Sequence, residues 1–168
     1  MPVLLMLALA AGLATQGGRD PLLSQLAGKW SGSGTVLNQP ANIEMEWTWE
    51  LGGQFLKLTF ANAMPSTRSA RAGQGAAGEV TTFEGHAYYR AVGDGRYRGM
   101  WFDNSGMFRP LDARREGDAL VSLWGTADTE QGETTYRLMP GGGMEVVDRV
   151  KGKDGTWRTF GQSGLMKR

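Results

Sequence analysis

The sequence predicts an all-β chain: a single antiparallel, up-and-down sheet of about ten strands preceded by a short capping helix. Three observations carry this. From Lys29 onward, apolar residues recur at every second position in one segment after another, which is the period of a half-buried strand. Single glycines and short Gly-rich turns separate these segments, drawing on 26 glycines in 168 residues, and links this short join antiparallel neighbours without crossover helices. No convincing helical pattern follows Ala27. Closing such a sheet into a barrel removes the exposed edges that a flat meander of this length would carry. The same strand list also permits a two-sheet sandwich.

The elements follow in order. Val3 to Ala14 is an apolar run too short to span a bilayer in comfort. It ends in the small-x-small pattern Gly12-Leu13-Ala14, before polar Thr15-Gln16-Gly17-Gly18. Residues 1–14 therefore read as a signal peptide cut near Ala14, which would leave a periplasmic or secreted chain with no remaining membrane span. No Lys or Arg precedes the run, and an uncleaved N-terminal helix or anchor is the alternative. Residues 15–28 read as a linker and the capping helix, with Asp20 as N-cap, Pro21 at the first helical position and Gly28 just past the end. Leu22, Leu23 and Leu26 would close the lower end of a barrel formed by residues 29–168.

Within that domain, Lys29 to Leu37 is Gly-rich and bendable. Asn42 to Leu51 alternates most clearly, with Ile43, Met45, Trp47, Trp49 and Leu51 on one face and Glu44, Glu46 and Glu50 on the other. The first set is expected inside and the glutamates on a wet outer surface, not as a catalytic pair. Gly52-Gly53 turns the chain into Gln54 to Asn62, where Leu56, Leu58 and Phe60 are in phase. Glu79 to Val92 and Arg96 to Asp103 form a hairpin over Gly93-Asp94-Gly95, a tight-turn signal. Met107 to Arg115, Ala119 to Ala127, Glu133 to Met139, Met144 to Lys151 and Thr156 to Gln162 complete the meander. Only Ala61 to Gly78 breaks the rhythm. It reads as a mobile loop, or as a lid that covers a barrel mouth with Met64 and presents Arg68 and Arg71 to an acidic ligand.

Composition narrows the function classes. Eighteen basic against seventeen acidic residues give a net charge of +1, so no basic face for nucleic acid is implied. The absence of cysteine removes disulfides, thiolate nucleophiles and Cys-ligated zinc together. His86 is the single histidine, so no His-based metal cluster forms within one chain. Gly73, Gly75 and Gly78 spell a Gly-x-Gly-x-x-Gly, but it runs into a strand rather than opening a helix, and is not a dinucleotide site. Gly161-Gln162-Ser163-Gly164 lacks the spacing of a nucleophile elbow. If the Asp94-Gly95 turn is two residues long, uninterrupted pairing sets His86 opposite Asp103 and Tyr88 opposite Trp101, with Arg90 and Tyr97 on the same face. A carboxylate there would fix the imidazole tautomer. An ordinary surface pair is the plain alternative, and a one-residue change in the loop would dissolve it.

The stretches Leu26-Ala27-Gly28-Lys29-Trp30-Ser31-Gly32-Ser33-Gly34, Trp49-Glu50-Leu51-Gly52-Gly53-Gln54-Phe55-Leu56 and Gly99-Met100-Trp101-Phe102-Asp103 together resemble an uncharacterised bacterial secreted family with a calycin-like barrel. The Gly-x-Trp at the mouth of the first strand resembles the lipocalin opening, where the Trp plugs one end. The longer Gly28-Lys29-Trp30-Ser31-Gly32-Ser33-Gly34 is similar to the opening of nitrobindin-type heme barrels, which hold iron through a histidine in a later strand. This chain has no histidine after His86, so the resemblance does not extend to that ligand.

The resemblance implies a barrel over a sandwich and a container for a small hydrophobic or aromatic molecule. Trp30, Trp47, Trp49, His86, Tyr88, Arg90, Trp101 and Asp103 are the candidate ligand-binding residues. No catalytic residue, metal or cofactor is assigned. The alternatives are an envelope interaction module with a solid core, or an enzyme working through His86 and Asp103.

Overall fold

The computed structural model describes residues 19–65 and 80–168. The signal-peptide reading, the Gly-x-Gly-x-x-Gly, Arg68 and Arg71 lie outside the described residues. Asp20 opens the helix α1 (Pro21–Leu26) as predicted: its Oδ1 accepts from the Leu23 N–H at 3.0 Å. It also accepts from the Tyr97 hydroxyl at 3.1 Å, which ties the helix to the barrel wall.

Ten strands follow: β1 (Gly28–Val36), β2 (Gln39–Glu50), β3 (Phe55–Pro65), β4 (Val80–Gly93), β5 (Arg96–Asp103), β6 (Phe108–Glu116), β7 (Ala119–Trp124), β8 (Gly132–Leu138), β9 (Gly143–Lys151) and β10 (Trp157–Lys167). Each pairs antiparallel with its sequence neighbours, and β1 pairs with β10, so the sheet is a closed up-and-down barrel. The sandwich reading is excluded.

Alternation decides what lies inside. Leu22, Leu23 and Leu26 of α1 are at most 1% exposed and pack with Trp30, Trp47, Tyr97, Leu120 and Leu165 into a plug at one end. The Trp30 indole N–H donates to the Leu26 carbonyl at 2.7 Å, joining the strand to the helix that caps it. Trp47 meets the edge of Tyr136 at 5.1 Å and tilts against Tyr89 at 5.8 Å. The glutamates of β2 face outward, where Glu46 pairs with Lys29 and Glu44 with Arg168.

Three expectations are corrected. Leu51 is 69% exposed, because the strand ends at Glu50 and Leu51 enters a 3₁₀ turn at φ 51°. β3 runs on to Pro65, so the first residues of the supposed loop 61–78 are strand. The third concerns register between β4 and β5. Asp94 and Gly95 both take positive φ and Gly93 pairs with Arg96, so the tight turn is as expected. A bulge at Val92 then moves the pairing by one residue: His86 faces Phe102, Tyr88 faces Met100, and Gly85 faces Asp103. The His86–Asp103 pair does not form.

Burial of Trp47 within the plug gives the first prediction. Trp47→Ala should lower the unfolding free energy by about 3–5 kcal/mol, and Trp49→Ala, on the half-buried rim of the plug, by clearly less. Urea denaturation measures both; equal losses would contradict this packing.

Candidate functional site

Above the plug the inward side chains do not meet, and a cavity of about 330 Å³ opens toward the opposite end. Its walls are mostly apolar. Phe60 of β3, Phe83 of β4 and Trp101 of β5 form an aromatic group with ring centroids 6.1–6.3 Å apart. Glycine makes room for this wall. A Cβ at Gly85 would fall inside the Trp101 indole, and one at Gly132 inside the Trp124 indole. A second bulge, at Phe160 between Thr159 and Gly161, brings the Phe160 ring to the cavity as well.

Polar groups sit among these walls. The Tyr89 hydroxyl donates to Ser122 Oγ at 3.0 Å, and Tyr136 adjoins it. Burial pushes the Tyr89 hydroxyl up to about 12 and Tyr136 well above the usual phenol value, so both stay protonated at any ordinary pH. On β9, Met144, Val146 and Asp148 occupy successive inward positions. Asp148 Oδ1 accepts from Thr134 Oγ1 at 2.7 Å, while Oδ2 stands over Gly161, where a side chain would collide with it. Burial raises the Asp148 carboxyl to about 6, against the smaller opposing effect of the Thr134 hydrogen bond. Asn62 continues the inward phase of Leu56, Leu58 and Phe60, is 3% exposed, and its Oδ1 has no hydrogen-bond donor.

At the rim, Asp103 accepts from the Trp101 indole N–H at 2.9 Å and from Ser105 Oγ at 2.5 Å. Burial pushes its carboxyl up, but the bonds from Ser105, Trp101 and Met107 outweigh this and hold it below its usual value. Arg109 lies over Trp124 at 5.3 Å, with Nη2 3.5 Å from the Glu130 carboxylate.

Of the candidate residues, the fold brings Trp101 and Asp103 to the cavity. Trp30 and Trp47 belong to the plug beneath it, and Trp49 packs against the plug's edge under Arg19. His86 and Arg90 are exposed on the outer face and Tyr88 is half-buried there, because each alternates with the inward Ala87 and Tyr89. Sequence reasoning missed Asn62, Tyr89, Ser122, Thr134, Tyr136 and Asp148. The signal for Asp148 was present: a carboxylate in phase with Met144 and Val146. Among the described residues no cluster of three His, Asp or Glu is placed to hold a metal, and no helix is long and apolar enough to cross a membrane.

No protein-family model matches the chain, and no curated protein matches it. Solved structures do. An S-type phycobiliprotein lyase, CPES from Guillardia theta, is 9% identical with a TM-score of 0.58, over 87% of this chain and 90% of its own. Rv2717c from M. tuberculosis is 15% identical with a TM-score of 0.59, over 90% of this chain and 99% of its own. At such identities the likeness is one of fold, the calycin-like ten-stranded barrel.

The raised Asp148 has a consequence for stability. Between its ordinary value of 3.8 and about 6 the folded barrel binds a proton that the unfolded chain releases, so stability falls as pH rises through that window and stays lower above it. Asp148→Asn should therefore raise the unfolding free energy at pH 7.5 by on the order of 2 kcal/mol and change it little at pH 4. Denaturant titrations at the two pH values decide this; an equal effect at both would mean the carboxylate bears no burial cost.

Proposed function

We propose that this barrel is a container for a small hydrophobic or aromatic molecule. The observation that carries the reading is the cavity itself: about 330 Å³, open at one end among the described residues and walled by Phe60, Phe83, Trp101 and Trp124. Ligand pockets span about 300–1,000 Å³, so this one suits a compact ligand of the lower size class. An interaction module with a solid core has no use for such a space. The calycin-like fold shared with the phycobiliprotein lyase supports a barrel architecture, and no lyase step is carried over from it. The enzyme alternative loses its acid–base pair, because Asp103 lies at the cavity rim and His86 on the outer face.

A panel of neutral aromatic and apolar probes tests the container reading. At least one should bind with micromolar affinity, on the order of −8 kcal/mol, raise the melting temperature through selective binding to the folded state, and alter indole fluorescence. The fluorescence change should vanish in Trp101→Phe/Trp124→Phe and persist in Trp157→Phe, whose ring lies outside at 40% exposure. Absence of any response across the panel would overturn the reading.

Export belongs to the same proposal, on the strength of the apolar run and the small-x-small pattern ending at Ala14. Intact-mass measurement on the native protein should find a chain beginning near Thr15 in the periplasmic or secreted fraction. A full-length chain in the cytosol would contradict it.

A further inference from the structure

The charges around the cavity say more than that the ligand is apolar. Among the described residues, Asp103, Glu130 and Asp148 line it against one guanidinium, that of Arg109. That cation is engaged at the rim, where Nη1 donates to the Glu130 carbonyl at 3.0 Å and Nη2 faces the Glu130 carboxylate. Among the described residues, Asp148 accepts a hydrogen bond from the Thr134 hydroxyl alone and has no cationic partner. Asn62 Oδ1 is a buried acceptor with no donor. A carboxylate and an amide oxygen left short of donors in one apolar space carry a desolvation cost that a suitable donor would relieve. The neighbouring aromatic wall adds π faces, which attract cations and repel anions.

We propose that the cavity takes a protonated amine bearing an aromatic or apolar group, its ammonium donating to Asp148 and its ring against Phe60, Phe83 and Trp101. The inference rests on the container reading and supplies its ligand chemistry. An anion entering here meets a net charge of −2 from the three carboxylates and one guanidinium among the described residues, and a neutral molecule leaves the Asp148 carboxylate without a cationic partner among them. Charge complementarity thus selects among ligands of one shape.

The pH dependence follows from the groups that share the cavity with Asp148: Tyr136 of β8, Tyr89 of β4, Asp103 at the end of β5, Arg109 of β6, and Glu130 between β7 and β8. Both tyrosines stay neutral, and Asp103 is held below its usual value. Asp148, at about 6, takes up a proton between pH 7.5 and 5. Its charge, and with it the preference for a cation, is lost as pH falls.

Isothermal titration calorimetry with 2-phenylethylamine, 2-phenylethanol and phenylacetate tests the proposal on ligands of nearly one shape. At pH 7.5 the amine should bind at least about tenfold tighter than the alcohol, and phenylacetate more weakly than either. The amine's advantage should shrink several-fold at pH 5. Asp148→Asn, which removes the charge and keeps the shape, should bring amine and alcohol to within about twofold at pH 7.5. An alcohol binding as well as the amine, or an amine preference that survives Asp148→Asn, overturns the proposal and leaves the container reading standing. Silence from these three ligands while neutral probes of the panel bind does the same. Silence from every probe removes both.

Discussion

Seven residue pairs between β1 and β10, from Trp30–Lys167 to Val36–Gly161, close the sheet, and every inward side chain owes its place to that seam. Gly32 and Gly34 let the two backbones approach there, since a Cβ at either would strike the β10 backbone. Once the sheet is closed, period-2 alternation leaves each side chain one of two environments, interior or solvent. The α1 helix then needs to cover only one end. It does so with three leucines, a Trp30 hydrogen bond and the Asp20–Tyr97 link. Among the described residues nothing covers the opposite end, and the unfilled interior above the plug is the cavity.

The interior therefore has two layers of different character. The plug is dense and apolar, with Trp47 wedged against Tyr89 and Tyr136. In the layer above, the same inward positions carry Asn62, Ser122, Thr134 and Asp148 beside aromatic rings. A core optimised for stability alone would place apolar residues there, since burying an unpaired carboxylate opposes folding at neutral pH. On the proposed container reading, a bound ligand would relieve that desolvation. On that reading specificity and stability pull in opposite directions at Asp148, and the plug supplies the stability.

Much of this architecture was legible in the chain. Strand number, the capping helix with Asp20 and Pro21, the Asp94-Gly95 turn and the burial of Trp30 and Trp47 all follow from local patterns that tertiary packing reinforced. The candidate site was less legible, for two physical reasons. A bulge at Val92 has no strong sequence signature, yet one extra residue moved His86 to face Phe102 and dissolved the expected pair with Asp103. Attention to aromatic and titratable residues as isolated types also favoured Trp49, His86, Tyr88 and Arg90 over Asp148 and Asn62. The latter are recognised only when a strand's inward phase is followed to its end: Met144-Val146-Asp148 on β9, and Leu56-Leu58-Phe60-Asn62 on β3. Closure sets which residues from distant strands share one space, and no single segment reports that.

The central claim is that a ligand enters the barrel through the open end and rests in the cavity above the plug. Methyl-¹³C-methionine NMR reads this directly, because the methionines are distributed across the molecule. Met45 and Met107 line the cavity, whereas Met139 and Met166 lie exposed on the surface and away from it. Titration with 2-phenylethylamine should shift the Met45 and Met107 methyl signals in a saturable manner and leave those of Met139 and Met166 in place. Saturable shifts confined to Met139 or Met166, with Met45 unmoved, would place the ligand on the outside of the barrel and contradict the account.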